Sequence, residues 1–420
     1  MNDPFGLAQN ERIERSGVRK VFTPHAPVKI QELLFGRSAA LKQLINQIHT
    51  PGAFPILFGD RGVGKTSIAM IVLTLVELSM REKGNVYIDS KRCSSKETLI
   101  SIFGKLLQKC GMDLELIEST QTSESGGGAG IHAGFIKADI GAKRTNTQKH
   151  GAAFKNVTPS TIAELILANL DCGLLIIDET DAIEDDQVKY QLAEIVKLLS
   201  DGHSKFKIML VGVAELSSTL TAGHPSIGRC AVETKLDLMA DAEIQQIVKT
   251  GAVRIKPAMD FDREVVKRIA QLSGGYPYFT HLCALKCVED ALRENRKFIR
   301  IHHLPSALKS AALEAEQTLR AQFETATSSA TTGMFRVVVD AASRFGSENF
   351  SAADLRAKIE NISTHHITQG ALNNLFKKLV SDNHARILHR VAKGTYRFSD
   401  PRMPSYVKIV CESECHYPNK

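Results

Sequence analysis

The chain has 420 residues, 43% hydrophobic and 24% charged, the balance of an ordinary globular protein long enough for two or three domains. Aromatic residues make up 6% and Trp is absent, which argues against a sugar-binding or aromatic-cage protein. A net charge of +7 and a pI near 8.9 permit a polyanionic partner without demanding one.

Residues 1–27 read as a polar lead-in without the apolar core of a signal peptide, so a cytoplasmic location is expected. Further on, Leu41, Leu44, Ile45 and Ile48 fall at helical spacing. "PILFG" (55–59) is a buried-strand pattern, and the apolar helix "SIAMIVLTLVELSM" (67–80) follows it. That helix is shorter than a membrane span and contains Glu77, so it reads as a core helix and no membrane partner is expected. "NVYIDS" (85–90) is the next strand and "KETLISIFGKLLQK" (96–109) an amphipathic helix.

Residues 119–156 break the rhythm: rich in Gly, Ser, Thr and Lys, they read as a long flexible insertion. Lys137, Lys143, Arg144 and Lys149 make its second half basic, either as a solvated loop or as one that touches phosphates. Order returns with a helix at 158–170, the apolar run "GLLIIDETDAI" (173–183), a helix at 187–201, the strand "KFKIMLVGVAE" (205–215) and a short edge strand at 231–238. Alternating strands and helices predict an α/β domain with a mainly parallel sheet. Helices are then predicted at 241–252, 263–274, 277–295 and 304–323, with a linker at 324–333.

Eight scattered cysteines, Cys93, Cys110, Cys172, Cys230, Cys283, Cys287, Cys411 and Cys415, read as reduced thiols. Cys411, Cys415 and His416 lie in a short polar tail with no second ligand cluster, which argues against zinc.

The chemistry concentrates in "GDRGVGKT". Gly59, Asp60, Arg61, Gly62, Val63, Gly64, Lys65 and Thr66 match G-x-x-x-x-G-K-[ST], with Ser67 next in the helix. The glycines let backbone N–H groups approach phosphate oxygens, and the following helix points its positive end at the anion. Lys65 is expected to neutralise the outer phosphates of ATP, and the Thr66 hydroxyl to join a Mg²⁺ shell. "LLIIDE" (174–179) sets Asp178 and Glu179 at the carboxyl end of a strand, where open α/β sheets bind ligands. Asp178 would hold Mg²⁺ and Glu179 would polarise the attacking water.

These two motifs and the order of elements between them resemble an AAA+ ATPase, a P-loop NTPase with a helical lid. More narrowly, the chain is similar to the branch of origin-recognition-type initiators and transposition ATPases. The resemblance covers roughly residues 28–323. It implies that "LLFGRSAALKQL" (33–44) helps wall the adenine, that Arg229 is an arginine finger, and that Pro277 in the Gly275-Tyr276-Pro277 turn leans on the nucleotide. A finger acting on a neighbour requires a homo-oligomer; the alternative is an Arg paired on the surface. Two departures stand out. The fourth strand's tip offers only Glu215, with Ser217 beyond it, where the branch often has a polar sensor, and Tyr278 follows Pro277 where it has a lid arginine. Both imply slow, switch-like hydrolysis.

In the C-terminal part, helices at 333–346, 351–360 and 368–382 precede a hairpin at 385–400, the order of a winged helix. This part too resembles the same branch. Between 351 and 410 there are ten basic residues against four acids. That excess points to DNA, with Lys377, Lys378, Arg390 and Lys393 as contact candidates; a protein partner is the alternative. The expected division is thus 1–27 lead-in, 28–240 nucleotide-binding domain, 241–323 lid and 333–410 winged helix. The expected activity is slow ATP hydrolysis, with nucleotide state controlling assembly or DNA engagement; a signalling or scaffold switch is the rival.

Overall fold

The computed structural model describes residues 7–28, 35–112, 157–213, 225–328, 333–362 and 367–415. The 119–156 insertion, Glu215, Ser217 and His416 lie outside the described residues.

Five parallel strands form the central sheet: β1 (Phe54–Phe58), β2 (Val86–Arg92), β3 (Cys172–Asp178), β4 (Phe206–Gly212) and β5 (Ala231–Lys235), in the order β2-β3-β4-β1-β5. The period of two along a strand divides its side chains between the two faces. On β3, Leu174 and Ile176 enter one core and Leu175 and Ile177 the other, so both faces are buried and the strand reads as one apolar run. One face is covered by α5 (Leu99–Lys109), α6 (Pro159–Asn169) and α7 (Asp186–Asp201). The other packs on α3 (Ser38–His49) and α4 (Lys65–Met80). Local signals fix several starts. Thr98 and Ser101 form a capping box on α5, and the Thr158 hydroxyl accepts from the Thr161 N–H before Pro159.

The lead-in departs from expectation. Instead of a featureless polar segment, α1 (Leu7–Ser16) and α2 (Val18–Val21) bury Ile13, Val18 and Phe22. They lie along α10 (Pro277–Arg293), where Arg19 pairs with the buried Glu289 and the Thr23 N–H donates to His281 Nδ1 at 3.1 Å.

Before α10 come α8 (Asp241–Arg254) and α9 (Arg263–Ser273), with two-residue strands β6 (Asp260–Phe261) and β7 (Phe298–Ile299) pairing alongside. The expected helix over 304–323 is two helices, α11 (Leu304–Glu314) and α12 (Gln317–Thr327). Ala315 turns extended to bury its methyl, and the Glu316 N–H donates to the Tyr278 hydroxyl instead of continuing the helix. α12 also runs into the stretch read as a linker.

Then follow α13 (Met334–Ser343), β8 (Phe350–Ser351), α14 (Ala352–Ile362), α15 (Gln369–Leu379), β9 (Leu388–Ala392) and β10 (Thr395–Phe398), the strands ordered β8-β10-β9. Phe376 stacks on Tyr396 with ring centroids 4.1 Å apart, seating the hairpin on α15. The "polar tail" is instead a helix, α16 (Met403–Ser413), which buries Tyr406, Val407 and Ile409. Its Glu412 is buried and paired with Arg268 of α9. Cys411 is therefore half-buried helix packing, and no cluster of three or more His, Cys, Asp or Glu side chains that could hold a metal ion occurs among the described residues. Cys283 and Cys287 are buried in α10. No helix among the described residues is long and apolar enough to cross a membrane.

Candidate functional site

The loop between β1 and α4 turns where Gly62 (φ 81°) and Gly64 (φ 99°) adopt left-handed backbone, which a side chain would strain. Gly64 caps α4, so the free N–H groups of the first helical turn face the cleft. Lys65 Nζ donates to the carbonyls of Gly59 and Asp60, both at 2.8 Å. Burial lowers its pKa, opposed by Asp181, Asp178 and Asp60. Val63 is buried and its carbonyl accepts from Arg37 at 3.0 Å. Arg37, in the segment expected beside the adenine, thus braces the phosphate loop. Ser67 Oγ accepts from the Val28 N–H at 3.0 Å, tying the N-terminal arm to α4.

The acids arrive on β3. Thr66 Oγ1 donates to Asp178 Oδ2 at 2.7 Å, and Asp178 is 8% exposed. Burial raises the Asp178 pKa against the Thr66 hydroxyl and the Glu179 N–H, which favour its charge. A hydroxyl and a carboxylate in contact are hard oxygen donors of the kind that suit Mg²⁺ and its retained waters. Glu179 has φ 55°, a left-handed turn that swings its side chain away from the strand. Arg92 grips that carboxylate with both arms, at 2.8 and 2.6 Å, and the hydrogen bond holds its pKa below the ordinary value of 4.5. Strand register makes this contact, since Arg92 on β2 lies opposite Asp178 on β3.

Gly62, Gly64, Lys65, Thr66, Ser67, Arg92, Asp178 and Glu179 line one cleft of ≈ 630 Å³, with Arg61, Asp181, Pro277 and the arm Thr23–Val28 on its walls, while Gly59, Asp60 and Val63 lie outside its lining. Asp181 accepts from the Val213 N–H at 3.1 Å and so fixes the end of β4. Tyr278 and His281 of α10 face the cleft beside Pro277, and burial lowers the His281 pKa to about 4. Arg229 ends a short 3-10 helix (Pro225–Arg229) before β5, exposed and outside the cleft lining. Lys377, Lys378, Arg390 and Lys393 are exposed on the last turn of α15 and the hairpin, far in sequence from the cleft. Sequence reasoning missed Arg92, Asp181, the Thr23–Val28 arm and Arg402. Arg92 and Arg402 carry no local signal, since each reaches the cleft only through contacts remote in sequence.

The Arg92–Glu179 pair is largely exposed, at 76% and 41%, so it contributes only about 0–1 kcal/mol and exchanges readily. It nonetheless occupies the oxygens that a base would turn toward water. Replacing Arg92 by Ala is expected to return the Glu179 pKa toward 4.5 and raise basal phosphate release severalfold at neutral pH. Unchanged or lower release would show that Arg92 does not restrain Glu179.

The parallel sheet, the phosphate loop after β1 and the acids ending β3 define the AAA+ form of the P-loop NTPase fold. Solved structures share this fold. The Aeropyrum pernix ORC2 protein, in its ADPNP–ADP complexes, superposes with a TM-score of 0.50 at 13% identity, covering 94% of this chain and 97% of that one. The Walker-type ATPase paby2304 of Pyrococcus abyssi gives 0.48 at 14% identity, over 91% of this chain and 99% of that one. Cdc6p from Pyrobaculum aerophilum gives 0.46 at 13% identity, over 94% and 98%. Identities this low speak to fold alone. No protein-family profile matches the sequence, and no curated protein matches it.

Proposed function

We propose that the protein binds and slowly hydrolyses ATP as a nucleotide-state switch, and that its C-terminal winged helix engages DNA. The observation that carries the first part is the 2.7 Å bond from Thr66 to Asp178, made beside Lys65 and Glu179 in one cleft. It joins the two halves of a phosphate-and-metal site that lie over a hundred residues apart. The A. pernix ORC2 protein, which shares the fold, was solved with nucleotides. In this reading the N–H groups opening α4 and Lys65 hold the phosphates, and Thr66 and Asp178 hold Mg²⁺, which supplies charge neutralisation at the outer phosphates. Glu179 orients and deprotonates the attacking water once Arg92 releases it. Pro277 and the Thr23–Val28 arm close the cleft around the rest of the nucleotide. Arg229 is exposed, as a finger reaching a neighbouring subunit must be, and a homo-oligomer would complete the site. The division that follows is a nucleotide-binding core over 28–240, a lid carried on to 327 and a winged helix from 333 to 413.

The DNA part rests on charge that stays available at the surface. Of the ten basic residues between 351 and 410, Arg402 is buried in ion pairs, Arg356 and Arg386 pair with Glu360 and Asp382, and Lys408 is half-buried. Lys377, Lys378, Arg390, Lys393 and Arg397 remain exposed on α15 and the hairpin, and Lys358 is half-buried. The cations taken up by pairing favour a second reading, in which this module docks a protein. A gel shift with duplex DNA decides. Binding at low salt is expected to weaken steeply as salt rises. Changing all four candidates to Ala should flatten the salt slope by about 0.9 for each phosphate that is no longer neutralised. No retarded band at low salt leaves the protein-docking reading.

A further inference from the structure

Arg402 stands at the start of α16, in the C-terminal segment, yet it lines the same cleft as Lys65, Thr66 and Glu179. Its side chain is 7% exposed. The Cδ of its stem sits 3.1 Å from where a Cβ on Gly62 would be, so Arg402 packs tightly against the phosphate loop and a side chain there would crowd it. Two carboxylates hold its guanidinium. Asp400, from its own segment, accepts at 3.1 Å from Nε and 2.7 Å from Nη2 and is 21% exposed. Glu316, from the break between α11 and α12, accepts at 2.5 Å from Nη1 but only at 3.4 Å from Nη2, and is 40% exposed. Burial works against the guanidinium's charge, and the hydrogen bonds to Asp400 and Glu316 outweigh it.

Charge and position are unequal to a structural role alone. A buried arginine beside a loop built to receive phosphates is the most strongly matched cation for a phosphate oxygen, because its planar fork suits phosphate as well as carboxylate. Of its two partners, Glu316 is the more exposed and the less evenly bonded, so it is the one that gives way first. The surroundings couple Arg402 to the lid. The Tyr276 hydroxyl donates to the Pro401 carbonyl at 3.0 Å, and Ser405 Oγ donates to the Ser273 carbonyl at 3.0 Å. The Tyr278 hydroxyl accepts from the Glu316 N–H at 2.9 Å. Both sides of the ion pair are therefore pinned to the turn that opens α10. Asp400 lies two residues beyond β10, so displacement of this corner reaches the hairpin directly.

We infer that Arg402 is a phosphate sensor lent to the nucleotide site by the C-terminal module, exchanging Glu316 for the terminal phosphate of a bound nucleoside triphosphate. This rests on the nucleotide reading of the cleft. A diphosphate, seated on the amides that open α4, leaves Arg402 with Glu316; a triphosphate takes it. The C-terminal module is thereby told which nucleotide is bound through a single ion-pair exchange.

Titration calorimetry on the full chain tests this, with ADP and with ADPNP, each with Mg²⁺. Arg402→Lys keeps the charge but loses the fork, and is expected to weaken ADPNP about tenfold while ADP affinity stays within twofold. Glu316→Gln removes the competitor and is expected to tighten ADPNP severalfold, again without moving ADP. Equal changes for both nucleotides, or none, overturn the inference and leave Arg402 a structural clamp. If Arg402→Lys fails to fold, Glu316→Gln decides alone by the same criterion. A wild-type chain that binds neither nucleotide would overturn the nucleotide reading itself, a result distinct from selective failure of the variants.

Discussion

Lys65→Ala is expected to abolish nucleotide binding at ordinary ATP concentrations. The ammonium now satisfies itself on the carbonyls of Gly59 and Asp60, both at 2.8 Å, and these bonds are exchangeable for phosphate oxygens. Each charge-assisted hydrogen bond to a phosphate contributes about 1.5–3 kcal/mol. Loss of two such bonds lowers affinity by about two to four decades. The fold should survive, because the side chain is only half-buried and the loop is braced from behind by Arg37. Calorimetric titration with Mg-ATP reads the outcome directly. A dissociation constant within threefold of wild type would remove Lys65 from the site.

Glu179→Gln is expected to keep nucleotide affinity and stop turnover. The amide has the shape of the carboxylate and can still accept from Arg92, but it cannot take a proton. General-base removal costs about two to four decades in rate. A phosphate-release assay at saturating ATP measures it, and turnover that persists would place the base elsewhere. The pH dependence has a definite sign. Arg92 holds the Glu179 pKa below 4.5, so the carboxylate is ionised throughout the neutral range and the pair with Arg92 is present there. Both the pair and the base are lost only as pH falls through that depressed value. An activity loss near neutrality would thus arise from another group.

The parts of the site that were legible in the sequence are those assembled locally. Gly59 to Thr66 are consecutive, and their chemistry follows from loop and helix geometry. Asp178 and Glu179 were legible because an apolar run of buried β3 ends on them. Arg92 was not, because it reaches Glu179 only through the pairing of β2 with β3, and register between parallel strands has no local signature. Arg402 was read as one surface cation among ten, since nothing near it in sequence shows that Glu316 and Gly62 would meet it. The fold shows the same division. Continuous apolar strands and capped helices such as α6 announced themselves. The N-terminal helices did not, because Ile13, Val18 and Phe22 are too sparse to form a periodic stripe and bury only by lying on α10. The break at Ala315 and Glu316 is likewise a tertiary choice, made where a lid tyrosine offers a better partner than the helix does.

One core runs without interruption from Leu57 and Leu174 of the sheet, through Phe279 of α10, to Val338 and Phe376 near the C-terminus. Modules that are separate along the chain therefore share a single apolar interior. Cutting between them would lay greasy surface open on both pieces, so neither half is a free-standing part to be borrowed or excised. Evolution can vary the tip of the hairpin cheaply, but the interface beneath α16 must change together with the lid it rests on.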